Sequence, residues 1–323
     1  MNNTLHTVHR FTLRGCLFVL ALAVFLLSGV ADGDAKTKAI KQKGFASPEE
    51  AVTAFVEAMR AHDSKSVWAI LGGKGLLSSG DPVEDKADVA RFIAAYDEKH
   101  KIEKPSADRA MLSVGADDWP FPIPVVKRGD AWYFDTKAGK EEIFNRRIGR
   151  NELNVIGSLS AFVDAQREYA SKDRDGDGTM EFAQKFMSRK GKHDGLYWNA
   201  KEGEEESPLG PLVAEASAIG YGTKGRSEKP APFHGYHFRI LKAQGPHATG
   251  GAYDYVVKGK MILGFAFLAY PAKYGSSGIM TFVVNQEGVV YEKDLGKDTA
   301  KLAKTMKTYD PDETWKRAEE PKK

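Results

Sequence analysis

The phrase Asp173-x-Asp175-x-Asp177-Gly178-x-Met180-Glu181 carries the strongest chemical signal in the chain. Carboxylates at loop positions one, three and five can converge on one hard cation, and glycine at position six permits the sharp turn. The Thr179 carbonyl would be the position-seven ligand, and Met180 at position eight is the apolar residue that packs such a loop. Position twelve is Gln184, where a helix–loop–helix calcium site has a bidentate glutamate. Glu181 can compensate directly or through water. The expected cofactor is therefore calcium, held by Asp173, Asp175, Asp177, Thr179 and Glu181. Affinity should be weak, which suffices outside the cell, where calcium modules work at dissociation constants on the order of 10⁻⁴ to 10⁻³ M. The same residue types also favour a plain solvated turn between two helices, for backbone reasons alone.

Other groupings are weaker. Arg146, Arg147 and Arg150 form a basic cluster that could take a carboxylate or phosphate. The alternative is that they pair with acidic residues between two domains. His234 and His237 lie three apart in an expected strand, so their side chains face opposite ways and do not suit a two-histidine metal site. Tyr274-Gly275-Ser276-Ser277-Gly278 is not the Gly-x-Ser-x-Gly elbow of a serine hydrolase. The chain has no P-loop, dinucleotide fingerprint or His-Glu-x-x-His motif. A catalytic site would have to be assembled from residues distant in sequence, with Asp194, Tyr197, His234 and His237 as first suspects.

These residues need elements to position them. Ser47-Pro48-Glu49-Glu50 starts a helix with a cap, a proline at the first turn and a capping box. Val52, Phe55, Val56 and Met59 give it one apolar face. A second helix is expected from Asp85 to His100. After Pro105 the period changes to two, predicting strands at Met111–Val114, Ile123–Lys127 and Ala131–Asp135. Trp119-Pro120-Phe121-Pro122-Ile123-Pro124 should close that sheet. A long helix follows from Lys140 to Ala170, then the acidic loop, and then a short helix over Glu181–Met187. Another helix should run from Ser207-Pro208 to Ile219, with a polar loop at Lys224–Pro230. The last third predicts strands at Tyr236–Leu241, Met261–Tyr270, Ile279–Val284 and Val289–Glu292, and a short helix over Leu302–Thr308.

The beginning of the chain reads as a secretory signal. A basic stretch ends at Arg14, and Cys16 to Leu27 is apolar and too short to span a bilayer comfortably. Ala31 and Ala35 are candidate cleavage points; retention as an N-terminal anchor is the alternative. Cys16 is the only cysteine, and it sits at the front of the apolar run rather than after it. That position disfavours a lipid anchor, and export leaves no disulfide and no thiol chemistry. The chain has 47 basic and 44 acidic residues; without Arg10 and Arg14 of the signal, 45 face 44. A nearly neutral protein gives no electrostatic reason to expect nucleic acid. The expected order is a signal (1–35), a linker (36–44), two α+β domains (45–140 and 141–312) and a disordered tail (313–323).

Several phrases carry a family resemblance. They include Gly80-Asp81-Pro82, Asp118-Trp119-Pro120-Phe121-Pro122, Arg146-Arg147-Ile148-Gly149-Arg150-Asn151-Glu152-Leu153, Asp164-Ala165-Gln166-Arg167-Glu168-Tyr169, Asp194-Gly195-Leu196-Tyr197-Trp198 and His234-Gly235-Tyr236. Together they resemble the bacterial exported family known as domain of unknown function 2950, from about Ala46 to Trp315. The resemblance implies an exported protein and assigns no activity. The order of elements in the first half is similar to the cone-shaped NTF2-like folds. The long helix followed by a β-meander resembles the globular heads of type IV pilins and pseudopilins. Here, however, the helix is internal and begins with arginines. The expectation is a periplasmic or cell-envelope protein with a non-catalytic binding or assembly role and an envelope protein as partner. It should make no contact with nucleic acid and have no stable membrane span once the signal is cleaved. A periplasmic hydrolase is the rival.

Overall fold

The computed structural model describes residues 40–73, 78–79, 81–201, 203–218, 221 and 232–319. The signal, Gly80 and the loop Lys224–Pro230 lie outside the described residues. Three helices come first, α1 (Pro48–Arg60), α2 (Ser64–Leu71) and α3 (Pro82–Glu98). The α1 start is the one expected: Ser47 Oγ accepts from Glu50 N at 3.0 Å, and a Glu50 carboxylate oxygen accepts from Ala46 N at 2.9 Å. A five-stranded antiparallel sheet follows, from β1 (His100–Ser106), β2 (Arg109–Val114), β3 (Trp119–Pro120), β4 (Val125–Arg128) and β5 (Ala131–Phe134). Its order is β1-β2-β4-β5, with β3 added to β2. Phe55 packs against Phe92, Phe121 and Phe134, ring centroids 5.1–5.9 Å apart, at the centre of this half's core.

Helix α4 (Thr136–Tyr169) has 34 residues and belongs to both halves. Gly139 and Ile143 face the first core. A Cβ at Gly139 would lie 2.8 Å from Ile123 Cα, so only glycine lets α4 approach that segment. Val155, Leu159, Phe162 and Val163 face the second core. The boundary expected at 140/141 therefore falls inside one continuous helix.

After α4 come α5 (Gly210–Ala218), β6 (Tyr236–Leu241), β7 (Ala243–Gln244), β8 (Tyr253–Asp254), β9 (Val256–Val257), β10 (Lys260–Met261), β11 (Ala266–Pro271), β12 (Met280–Asn285), β13 (Tyr291–Asp294), α6 (Thr299–Thr305) and β14 (Lys316–Arg317). The main sheet runs β14-β13-β12-β11-β6, and β7-β8 and β9-β10 are two-stranded ribbons. β11 is buried along its whole length. Phe162 of α4 meets Phe238 of β6 and Phe267 of β11 at 5.2 and 5.4 Å between rings. Mixed helices and antiparallel sheets make the protein α+β, as expected.

Three expectations are corrected, and two elements are new. β1 and α2 were not foreseen. The strand expected over Met261–Tyr270 breaks at Gly264, where φ is +149° and a Cβ would meet Gln286 at 2.8 Å. Glu181–Met187 is extended rather than helical, because Phe182 bridges Met261 and Gln166 of α4 takes both backbone groups of Ala183 at 2.8 Å. The tail is ordered through 319: Trp315 and Ala318 are buried, and β14 pairs with β13. No helix among the described residues is long and apolar enough to cross a membrane.

Candidate functional site

The acidic loop follows the end of α4. Positive φ at Gly176 (+75°) and Gly178 (+86°) lets the chain coil around the first aspartate. The two Asp173 carboxylate oxygens accept from Gly176 N at 2.8 Å and Gly178 N at 2.7 Å. Asp177 accepts from Thr179 N at 3.0 Å. These bonds draw Asp173, Asp175 and Asp177 together, with one carboxylate oxygen from each lying within 4.8 Å of the others. The Gly178 and Gly176 N–H groups hold the Asp173 carboxyl below its ordinary value.

Lys260 Nζ, from the β9–β10 ribbon, enters this cluster. It lies 3.2 Å from Asp175, 3.6 Å from Glu181, and in direct contact with Asp177. Its hydrogen bonds to Asp177 and Asp175 raise the Lys260 ammonium well above the ordinary lysine value. The loop thus offers oxygen ligands to a cation and meets an ammonium from its own chain. Two details depart from a helix–loop–helix site. Gln184 turns away, donating to the Gly259 carbonyl at 2.7 Å and accepting from Lys242 at 2.8 Å. Met180 does not pack the loop and is 61% exposed. Thr179 and Glu181 stay beside the aspartates by sequence, and Glu181 reaches the same ammonium.

The arginine cluster has a different setting. Arg146 donates to the Pro120 carbonyl at 3.0 Å, lies 4.0 Å over the Trp119 ring and pairs with Glu142. It ties α4 to β3. Arg150 grips Asp88 with two bonds of 2.6 and 3.0 Å and reaches Glu84 at 3.1 Å. Arg147 is fully buried in the field of Asp85 and Asp88.

Their partners form a site that sequence reasoning missed. Asp81, Glu84, Asp85 and Asp88 are all 5% exposed or less, and they occupy one face at the start of α3. The second half docks on this face. Asp81 accepts from Gly235 N at 3.1 Å and from the Tyr221 hydroxyl. Glu84 lies 3.6 Å from His234 Nδ1 and 2.8 Å from Arg91. Burial alone would raise the Glu84 carboxyl, but His234, Arg150 and Arg91 outweigh it and hold it at about 2. Burial raises Asp81 instead, against the bonds from Tyr221 and Gly235. His234 and Gly235 have φ of +49° and +74° between Phe233 and Tyr236, which exchange backbone hydrogen bonds of 2.8 and 3.0 Å. This is a two-residue type I′ turn, with histidine at a position that favours asparagine, aspartate or glycine. The signal was present in the sequence as carboxylates at helical spacing, 81, 84, 85 and 88, facing arginines at 147 and 150.

The four catalytic suspects take partners in separate neighbourhoods. Asp194 binds Lys185 and Arg189 at 2.6 Å each. Tyr197 lines a groove beside α5. His234 sits at the α3 junction, and His237 meets Tyr270 in the β6–β11 pair at 5.4 Å between rings.

No curated protein and no solved structure matches the chain. The likeness to cone folds and pilin heads therefore rests on the order of elements alone. A family profile does match, over residues 42–318, which takes in both cores, the acidic loop and the α3–α4 junction. By that match the chain belongs to the family described as protein of unknown function, DUF2950.

Proposed function

We propose that this protein works outside the cytoplasm as a non-catalytic binding or assembly module, with a calcium ion at the Asp173 loop. One observation carries the calcium reading: carboxylate oxygens of Asp173, Asp175 and Asp177 lie within 4.8 Å of one another. Hard oxygen ligands at that spacing suit calcium. The ion would displace the Lys260 ammonium and tie the end of α4 to the β9–β10 ribbon. Its role is structural, because the loop is exposed. Export, read from the first 35 residues, places the loop where calcium is plentiful. An envelope protein partner fits a binding module of this kind, and the nearly neutral charge gives no attraction for nucleic acid.

The test is a thermal melt with millimolar calcium or with a chelator, run on the protein and on Asp175→Ala. Calcium should raise the midpoint of the first and leave the second unmoved. An unmoved wild-type midpoint, with no heat of binding by calorimetry, would overturn the reading.

A further inference from the structure

A pocket of about 370 Å³ opens where α2 ends, β5 ends and α4 begins. Side chains hold the three elements together there. Gln42 donates to the Ile70 carbonyl at 3.0 Å and to the Phe134 carbonyl at 2.7 Å. The buried Thr136 hydroxyl donates to the Leu71 carbonyl at 2.8 Å. Gly72 ends α2 at φ +75° and brings no side chain to the opening. Leu71 and Phe134 give the pocket an apolar floor.

The charge of this pocket comes from residues that are present. Arg128 of β4 and Lys137 and Lys140 of α4 line it. One lining carboxylate stands against them, Asp135, 3.5 Å from Arg128. Lys140 lies 5.4 Å from the Phe144 ring centroid, and neither it nor Lys137 has an ion pair among the described residues. Residues 36–39 and 74–77, just before Gln42 and just after Gly72 in sequence, include Lys36, Lys38 and Lys74 and no acidic residue. Those stretches therefore hold no carboxylate to set against the rim. The C-terminus of α2 and the N-terminus of α4 both end here, and their dipoles oppose each other, so the side chains set the sign. Three cations less one carboxylate leave an excess of two positive charges. A phosphate monoester carries about −1.5 to −2 at pH 7 and matches that excess, whereas a carboxylate uses only half of it. A guanidinium supplies paired donors to phosphate oxygens, and ammonium groups act as point charges beside it. The volume is at the small end for ligand sites, which suits one phosphate on a small carrier.

We propose that this pocket binds a phosphate monoester group, held by Arg128, Lys137 and Lys140. The pocket shares no residue with the acidic loop, so the proposal stands apart from the calcium reading. It supplies a ligand class for the binding module.

The test is titration calorimetry on the full chain at low ionic strength. The buffer is free of calcium, so the outcome is separate from that of the calcium reading. The probes are inorganic phosphate, glycerol 3-phosphate and vesicles of phosphatidylcholine containing phosphatidic acid, with acetate, glycerol and n-butylamine as comparisons. At least one phosphate probe should bind with a dissociation constant on the order of millimolar or tighter, and more weakly as salt is raised. Binding of the soluble probes assigns the pocket to a free phosphate compound, and binding of the vesicles alone assigns it to a lipid headgroup. Lys137→Glu combined with Lys140→Glu, both at exposed positions, should weaken binding by about tenfold or more. Acidic residues suit a helix start, so the melting midpoint should not fall. Lys137→Gln combined with Lys140→Gln removes the charge without reversing it and should weaken binding by about threefold or more. Phosphate binding that survives both double variants would overturn the proposal. So would acetate, glycerol or the amine binding as tightly as phosphate, or no heat from any phosphate probe.

Discussion

At the scale of single residues, Lys260 decides how the acidic loop behaves. Its ammonium sits among Asp175, Asp177 and Glu181 and does for the loop what a metal ion would do. A calcium ion bound there would have to compete with it. Two positive charges a few ångströms apart repel by about 1–4 kcal/mol per unit charge pair, depending on solvent exposure. Lys260→Met should therefore tighten calcium binding by about tenfold or more while lowering stability in chelator. Calorimetry on the two proteins measures the first effect, and a melt in chelator the second. Unchanged calcium affinity in Lys260→Met would show that the ion, if bound, sits away from this ammonium. Gln184 makes the complementary point. Its amide is spent on Gly259 and Lys242, so Gln184→Glu should do little for calcium affinity and should loosen the β9–β10 ribbon instead.

At the scale of elements, α4 organises the molecule and its side chains replace secondary structure where the chain is irregular. Gln166 is fully buried and pairs with both the N–H and the carbonyl of Ala183 at 2.8 Å. Gln166→Ala leaves two buried backbone groups without partners and should cost about 2–5 kcal/mol, measured by urea unfolding. Gly139→Val should cost about as much by overpacking against Ile123, and a loss under 0.5 kcal/mol would refute the close approach, since ordinary surface changes fall in about that range. These two positions also show where sequence reading stops. The caps and apolar stripes of α1, α3 and α4 are local, so their helices were legible to within a few residues. β6 was legible in full, because its pattern and its turn residues agree. The helix expected over Glu181–Met187 was not there, because Gln166, 17 residues before Ala183, takes that residue's backbone groups. Edge strand β1 was hidden for a different reason: Lys101, Glu103, Lys104 and Pro105 blunt its edge and erase the strand signature. The aspartate loop was legible because its ligands are neighbours in sequence. The α3 junction was not, since its partners lie up to 154 residues apart.

At the scale of the whole molecule, two apolar cores are held in register by one long helix and one buried ionic junction. The junction carries four carboxylates against Arg91, Arg147 and Arg150, so His234 stands beside a cluster with one negative charge in excess. Removing one member should cost far more than replacing a pair. Arg150→Met leaves Asp88 and Glu84 with Arg91 as their one directly bonded arginine in a dry setting and should destabilise by about 3–5 kcal/mol. Asp88→Leu combined with Arg150→Met should recover much of that loss, because matched apolar groups need no counter-charge. If the double variant is as unstable as the sum of the singles, the pair does not act as a unit. The pH dependence follows from Glu84. Its folded value, about 2, lies below the ordinary 4.5, so the ionised form is the one the fold favours. The stability it supplies is fully present above the ordinary value and is lost as pH falls towards about 2. Asp81, raised by burial, works the other way: its ionised form is disfavoured by the fold, and its protonation on acidification relieves part of that burden. The loss on acidification should therefore begin near the ordinary carboxylate value and be complete only near about 2. Glu84→Gln should flatten the acid limb of the stability curve by removing that contribution. Urea midpoints taken from pH 7 to pH 2 on the two proteins decide the matter. An unaltered acid limb in Glu84→Gln would mean that the junction's charge is carried by the aspartates alone.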